Sequence, residues 1–82
     1  MSTFRLTISS VDKTHFDGEV ESVTLPGTAG DMTLLAHHEP IITTLREGVI
    51  IIRPSKSETD AKKLTIKTGI LECSSNRAVV LL

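Results

Sequence analysis

Apolar and polar positions alternate with a period of two along most of the chain. Phe4, Leu6 and Ile8 interleave with Arg5, Thr7 and Ser9, the pattern of a strand with one wet face. A turn and a short strand are expected within residues 11–16, and Asp17-Gly18 reads as the next turn. Val20, Val23 and Leu25 form a further β-rich run, which Pro26-Gly27 is expected to break. Short strands are predicted over residues 32–36, 41–45, 49–53, 64–68, 70–73 and 78–82. No window keeps apolar residues at i, i+3, i+4 and i+7 through three turns, so no long helix is expected. Turn signals this closely spaced predict an all-β sandwich or barrel. Residues 54–60, PSKSETD, read as a mobile hairpin loop. Residues 74–77, SSNR, read as a tighter one with Asn76 in a left-handed conformation.

Three segments break the alternation. Ile41-Ile42, residues 49–52 and residues 78–82 place apolar side chains on both faces of their strands. A sandwich strand has one face against the core, so an apolar outer face needs a cover of its own. An uncovered apolar patch of that kind marks a protein interface. The alternative is a bulge or a strand switch that turns both sets of side chains inward. The interface is the preferred reading.

Length and composition narrow the class. Eighty-two residues suit one domain, residues 1–82. A domain of this size buries only about 60% of its unfolded surface and is marginal alone. Cys73 is the single cysteine, which excludes an internal disulfide and fits a reducing compartment. A net charge of −1 and only two aromatic residues, Phe4 and Phe16, leave neither a basic stripe nor a stacking platform for nucleic acid. The first residues, MSTFRLTISS, lack the basic-then-apolar layout of a signal peptide, and the run at 49–52 is far too short to cross a bilayer. A soluble intracellular domain is expected. Charge is uneven: residues 1–47 hold three basic and seven acidic side chains, net −4, and residues 48–82 hold six and three, net +3. Steering of a charged partner and scatter in a small sample explain this equally well.

Candidate chemistry concentrates in residues 25–40, LPGTAGDMTLLAHHEP. Gly27-Thr-Ala-Gly30 lacks the Lys-Ser/Thr that would reach phosphate and magnesium, and it opens no helix. An exposed turn with Asp31 near its tip is expected instead. His37 and His38 are adjacent, so on a strand they would point to opposite faces and not share an ion. A His followed by Glu-Pro more often sits in a loop leading into a strand. Cys73 sits in a strand segment where a buried thiol is plain packing. No serine lies in a Gly-x-Ser-x-Gly setting, and Glu19 and Glu21 form a solvated acidic face. No catalytic residue, cofactor or metal is expected.

Phe4-x-Leu-x-Ile8 is followed by FDGEVESVTLPGTAGDM at residues 16–32, HHEPIITTL at 37–45, GVIII at 48–52 and GILE at 69–72. This ordered string, which spans nearly the whole chain, resembles the epsilon subunit of F-type ATP synthases. The resemblance implies a flattened antiparallel β-sandwich of about ten short strands. It also implies a non-catalytic place in the central rotor, gripping the gamma subunit, resting on the ring of c subunits and coupling ion translocation to ATP synthesis. By that resemblance Gly27, Thr28, Ala29, Gly30 and Asp31 form the loop that meets the c ring. Ser10, His38, Ile41, Ile42 and Thr43 face gamma. The membrane is reached only through the complex, at the cytoplasmic face of the bacterial inner membrane.

Three departures from the family pattern carry expectations of their own. The family commonly reads Pro-Gly-His where this chain has Ala36-His37-His38, which predicts a turn of different shape. Its Ser-Gly-Gly is here Lys67-Thr68-Gly69, which puts a close backbone contact there in question. The family usually continues into a C-terminal helical hairpin that restrains ATP hydrolysis, whereas this sequence stops at Leu82. The 82-residue chain is therefore expected to leave hydrolysis uninhibited. A free-standing β-sandwich binding module is the alternative from another class. In isolation, uncovered strands predict self-association.

Overall fold

The computed structural model describes residues 2–55 and 58–82. Nine strands are found among them: β1 (Phe4–Ser10), β2 (Lys13–Val20), β3 (Ser22–Gly27), β4 (Gly30–Leu35), β5 (Ile41–Leu45), β6 (Gly48–Arg53), β7 (Lys62–Ile66), β8 (Gly69–Ser74) and β9 (Arg77–Leu81). The only helical element among the described residues is a 3-10 turn, Glu58–Asp60. The all-β sandwich is thus present, with nine strands in place of about ten. Of the loop expected at 54–60, Lys56 and Ser57 lie outside the described residues.

The strands form one sheet that folds back on itself. One half runs β2-β1-β9-β8-β5, and the other holds β4-β3-β6-β7. A single bridge, Gly27 opposite Leu45, joins the halves. At the far side the path closes where the Lys62 ammonium lies 5.7 Å from the Phe16 ring centroid, a cation–π contact between β7 and β2. The hairpins β1–β2, β3–β4, β6–β7 and β8–β9 are antiparallel, but β1 and β9 pair in parallel, from Arg5–Arg77 to Ser9–Leu81. Turn signals report only on neighbouring strands, so this long-range pairing has no local mark in the sequence.

Alternation places the core. Leu6, Ile8, Val20, Val23, Leu25, Ile50, Leu71 and Val80 are fully buried, with Leu34 close behind, and both halves contribute to one cluster. Each such side chain contributes about 1.5–3 kcal/mol relative to exposure. No polar or charged residue is classed as buried among the described ones. The charge asymmetry between the chain's two parts does not become two charged faces. Strands β8 and β9, from the basic part, lie between β1 and β5, from the acidic part.

Two local expectations change. Asp17-Gly18 makes no turn, because a neighbouring strand claims it: Gly18 lies opposite Leu6 and Asp17 opposite Thr7 within β2. Asp17 accepts from Arg5 Nε at 2.7 Å and from Thr7 Oγ1 at 3.2 Å. The hydrogen bond from Arg5 holds its carboxyl below the usual aspartate range, helped by Thr7 and Arg77. That contribution is present above the ordinary aspartate pKa and fades as pH falls through the lowered value. The turn expected within residues 11–16 is present, at Val11-Asp12 between Ser10 and Lys13, followed by a bulge that leaves His15 as the extra residue on β2.

Pro26-Gly27 does not end its strand either. Both residues pair with β4, and the chain reverses through Thr28-Ala29. Two glycines permit this tight reversal. Gly30 has φ +135°, and a Cβ on Gly27 would stand 2.7 Å from the Gly30 carbonyl oxygen. Gly30→Ala is expected to lower stability by about 1–3 kcal/mol, the usual cost of a side chain in such a backbone region. Urea unfolding at unchanged m-value measures it, and a loss below half a kcal/mol would contradict the assignment.

Candidate functional site

The outward face of the β2-β1-β9-β8-β5 half follows from its register. Ile42 of β5 stands opposite Glu72, which stands opposite Val79. Thr44 stands opposite Ile70, which stands opposite Leu81. Inward neighbours Leu71, Cys73, Ala78 and Val80 are buried, so the alternate residues project outward. Ile42 is 72% exposed, Leu81 55% and Ile70 48%. These three, with half-buried Val79, form an apolar patch across three adjacent strands, interrupted by Glu72 and Thr44. Diagonal neighbours on such a face lie within about 7–8 Å, close enough to be covered by one partner surface.

The runs with apolar side chains on both faces therefore divide between two faces. Ile42, Val79 and Leu81 lie on this one. Val49 and Ile51 lie outward on the β4-β3-β6-β7 half, opposite Thr65 and Lys63 of β7. There the outward set is mixed: Leu35 is exposed, but Thr24 and Thr33 share a hydrogen bond at 3.0 Å and Arg53 reaches Thr24 at 3.4 Å. Neither half needs a bulge or a strand switch to account for its second apolar set.

The residues expected to face gamma do not share one surface. Ile42 alone among them is exposed within β5. Ile41 and Thr43 alternate toward the interior, opposite Cys73 and Leu71. His38 lies in the connection before β5, with Nδ1 2.9 Å from the Glu39 carbonyl. Ser10 is at the opposite end of the sheet, beyond β8 and β9, where its hydroxyl lies 3.1 Å from both Asp12 Oδ1 and His15 Nε2. Ile70 and Thr44 share the outward face with Ile42 and were not among the residues expected from the sequence. Their signal was present in the Ile-Leu-Glu-Cys and Ile-Thr-Thr-Leu alternations, once β8 and β5 are known to be neighbours.

Gly27, Thr28, Ala29, Gly30 and Asp31 do sit together, at one end of the sandwich. Thr28 N donates to the Thr44 carbonyl at 3.2 Å and Arg46 N to the Pro26 carbonyl at 2.8 Å, which braces this turn against the β5–β6 connection. Asp31 is not a free charge. Arg46 Nη2 contacts its Oδ1 at 2.8 Å, with both side chains substantially exposed. A base on a partner would have to displace or share that pair.

His37 and His38 lie in the loop leading into β5, the setting expected of a His followed by Glu-Pro, so the opposite-face geometry of a strand does not apply to them. His37 takes φ +63°, the left-handed conformation that glycine favours. The turn at Ala36-His37 thus has the backbone a glycine would give it, despite the changed residue. Gly69 is buried, and a Cβ there would meet the Leu81 carbonyl oxygen at 3.1 Å, so the close backbone approach in question at that turn is retained. Asn76 has φ +57°, as expected, next to Ser75 at +50°. Cys73 is 4% exposed, and burial pushes its thiol up, which favours the protonated form. Among the described residues no three His, Cys, Asp or Glu side chains come together as a metal site would need.

Comparison with known proteins gives one family. Residues 3–82 match the ATP synthase, Delta/Epsilon chain, beta-sandwich domain. The chain is 33% identical over 81 residues to the ATP synthase epsilon chain of Rhodopseudomonas palustris strain BisA53 and equally to that of Bradyrhizobium sp. strain ORS 278. Each match takes in 99% of this chain and 58% of the relative, so the chain spans a little over half the length of these proteins. Among solved structures, a chain of the Euglena gracilis mitochondrial ATP synthase assembly of OSCP, F1 and c-ring aligns with a TM-score of 0.84 at 20% identity, covering 96% of this chain and 49% of that one. A chain of the Tetrahymena thermophila mitochondrial ATP synthase central stalk and c-ring aligns at 0.76 and 16% identity, covering 94% and 60%. At those identities the structural likeness concerns the fold, but the family match covers all but the first two residues: this chain belongs to the ATP synthase delta/epsilon chain family, as its β-sandwich domain.

Proposed function

We propose that this chain is a non-catalytic domain of the central stalk of a rotary ATP synthase. It binds the gamma subunit through the outward face of β5, β8 and β9 and rests on the c ring through the turn at Gly27, Thr28, Ala29, Gly30 and Asp31. The observation that carries the reading is the apolar patch of Ile42, Ile70, Val79 and Leu81, a face on a small sandwich that nothing within the described chain covers. Patches of this kind on soluble domains mark sites of protein association. Support for the assembly comes from the names of the similar structures, which are an F1 and c-ring assembly and a central stalk with c-ring.

The arrangement supports a mechanical role. A sheet face is stiff, and hydrogen bonds brace the ring-side turn against the end of β5, the strand that carries Ile42. Force applied at the turn therefore reaches the gamma-facing strand through backbone rather than through a flexible linker. In this reading the domain sits at the cytoplasmic face of a bacterial inner membrane and meets the membrane only through the complex.

The test is reconstitution. The purified chain, mixed with tagged gamma subunit and separately with a gamma–c-ring subcomplex, is expected to co-elute with both in gel filtration. Elution of all the chain at its own volume in both mixtures would overturn the proposal. Binding of a small ligand without gamma would favour a free-standing binding module.

A further inference from the structure

We propose that Asn76 is the positioning residue for the His38 segment, holding across 39 residues of sequence the loop that leads into the gamma-facing strand. The inference rests on the rotor reading above, and it concerns a residue in a turn that touches neither candidate surface.

The three non-glycine residues with positive φ among the described ones are His37, Ser75 and Asn76, and they meet at one end of the sandwich. The His37 amide donates to Asn76 Oδ1 at 2.7 Å. Asn76 Nδ2 donates to the Thr3 carbonyl at 3.0 Å. The Arg5 amide reaches the Asn76 carbonyl at 3.4 Å. One side chain thus ties the β8–β9 turn to the β4–β5 connection and to the start of β1.

Both ends of the amide are used, and each faces its complement: oxygen toward an N–H, nitrogen toward a C=O. A flipped amide would set N–H against N–H and oxygen against oxygen, so the network fixes one orientation. Only Asn combines tolerance of the left-handed backbone with a donor and an acceptor on a short side chain. Glycine would keep the turn and lose both bridges. Aspartate would keep the acceptor for His37 and lose the donor to Thr3.

The consequence lies one residue further along. His37 holds a left-handed conformation that costs free energy for a residue with a Cβ, and it immediately precedes His38, Glu39, Pro40 and β5. Its φ sets the direction of the chain through His38 toward Ile42. The bond to Asn76 satisfies the His37 amide and fixes the peptide plane through which the chain enters that conformation.

Two variants separate positioning from turn formation. In Asn76→Gly the His37 amide is expected to exchange with solvent roughly three- to tenfold faster, the loss of about one hydrogen bond. Affinity for the gamma subunit is expected to fall by a similar factor while unfolding stays cooperative. In Asn76→Asp the acceptor for His37 remains, so His37 exchange and gamma affinity are expected to stay within about twofold of wild type. Overall stability is expected to fall, because a carboxylate oxygen replaces the donor facing the Thr3 carbonyl. Undiminished gamma binding by Asn76→Gly, or equal losses in both variants, overturns the assignment to Asn76 alone. A wild-type chain that captures no gamma overturns the rotor reading, and with it the role given to this loop.

Discussion

Ile42→Asp is expected to abolish capture of the gamma subunit by an otherwise folded domain. Ile42 is 72% exposed on β5, so the substitution removes little buried area and stability should change by less than about 0.5 kcal/mol. In the complex the same carboxylate would be pressed into the patch formed with Ile70, Val79 and Leu81. Burying an unpaired charge costs several kcal/mol, and truncating a central apolar anchor alone costs about 2 kcal/mol or more. Together these lower affinity at least about thirtyfold, since every 1.4 kcal/mol is tenfold. Leu35→Asp is the control. Leu35 is comparably exposed at 59%, but it projects from β4 in the other half of the sheet. It is expected to leave capture intact. Pull-down with tagged gamma reads both; equal capture by wild type and Ile42→Asp would remove this face from the interface.

The second large effect is on folding. Leu71 has no exposure and sits in β8 between Thr43 of β5 and Val80 of β9. Leu71→Ala is expected to cost about 2–5 kcal/mol, the lost transfer term plus the cavity left in a close-packed core. A chain of this length has roughly 4–12 kcal/mol in all, from about 0.05–0.15 kcal/mol per residue. The variant should therefore unfold at markedly lower urea concentration and lose about 8 °C or more in melting temperature. A loss under 1 kcal/mol would mean that the site collapses around the smaller side chain, and that β8 is less central than its neighbours imply.

Much of this architecture was readable because the information is local. The Phe4, Leu6, Ile8 alternation marks β1 because successive side chains of a strand alternate faces. Asn76 marks the β8–β9 turn because a short polar side chain tolerates positive φ. Gly27 and Gly30 mark a tight reversal for a similar reason, though the strands continue up to them rather than stopping at Pro26. What was not readable depends on partners distant in sequence. Asp17-Gly18 has the composition of a turn, and only the arrival of Arg5 and Thr7 beside it keeps it extended. Asp31 looks like a free acid until Arg46 is seen at 2.8 Å.

The candidate surface shows the same division. Sequence pattern identifies Ile42 and the 78–82 run as apolar on both faces, but not that they share a surface while Val49 and Ile51 face elsewhere. That depends on strand order. Because β5 pairs with β8 and β8 with β9, Ile42 and Leu81 come together although they are far apart along the chain. Inward alternation removes Ile41 and Thr43 from the same patch for an equally simple reason, the period of two.

The parallel pairing of β1 with β9 has a consequence for how the molecule comes into being. The middle position of the β2-β1-β9-β8-β5 half is occupied by the last of the nine described strands, with β1 on one side and β8 on the other. A nascent chain leaving the ribosome can form hairpins as they emerge, but β1 and β8 cannot meet through their missing neighbour until residue 81 is free. Closure of the core must therefore wait for synthesis of β9. Acquisition of the native state should be late, abrupt and slow for the chain's length, as expected where long-range strand pairing dominates.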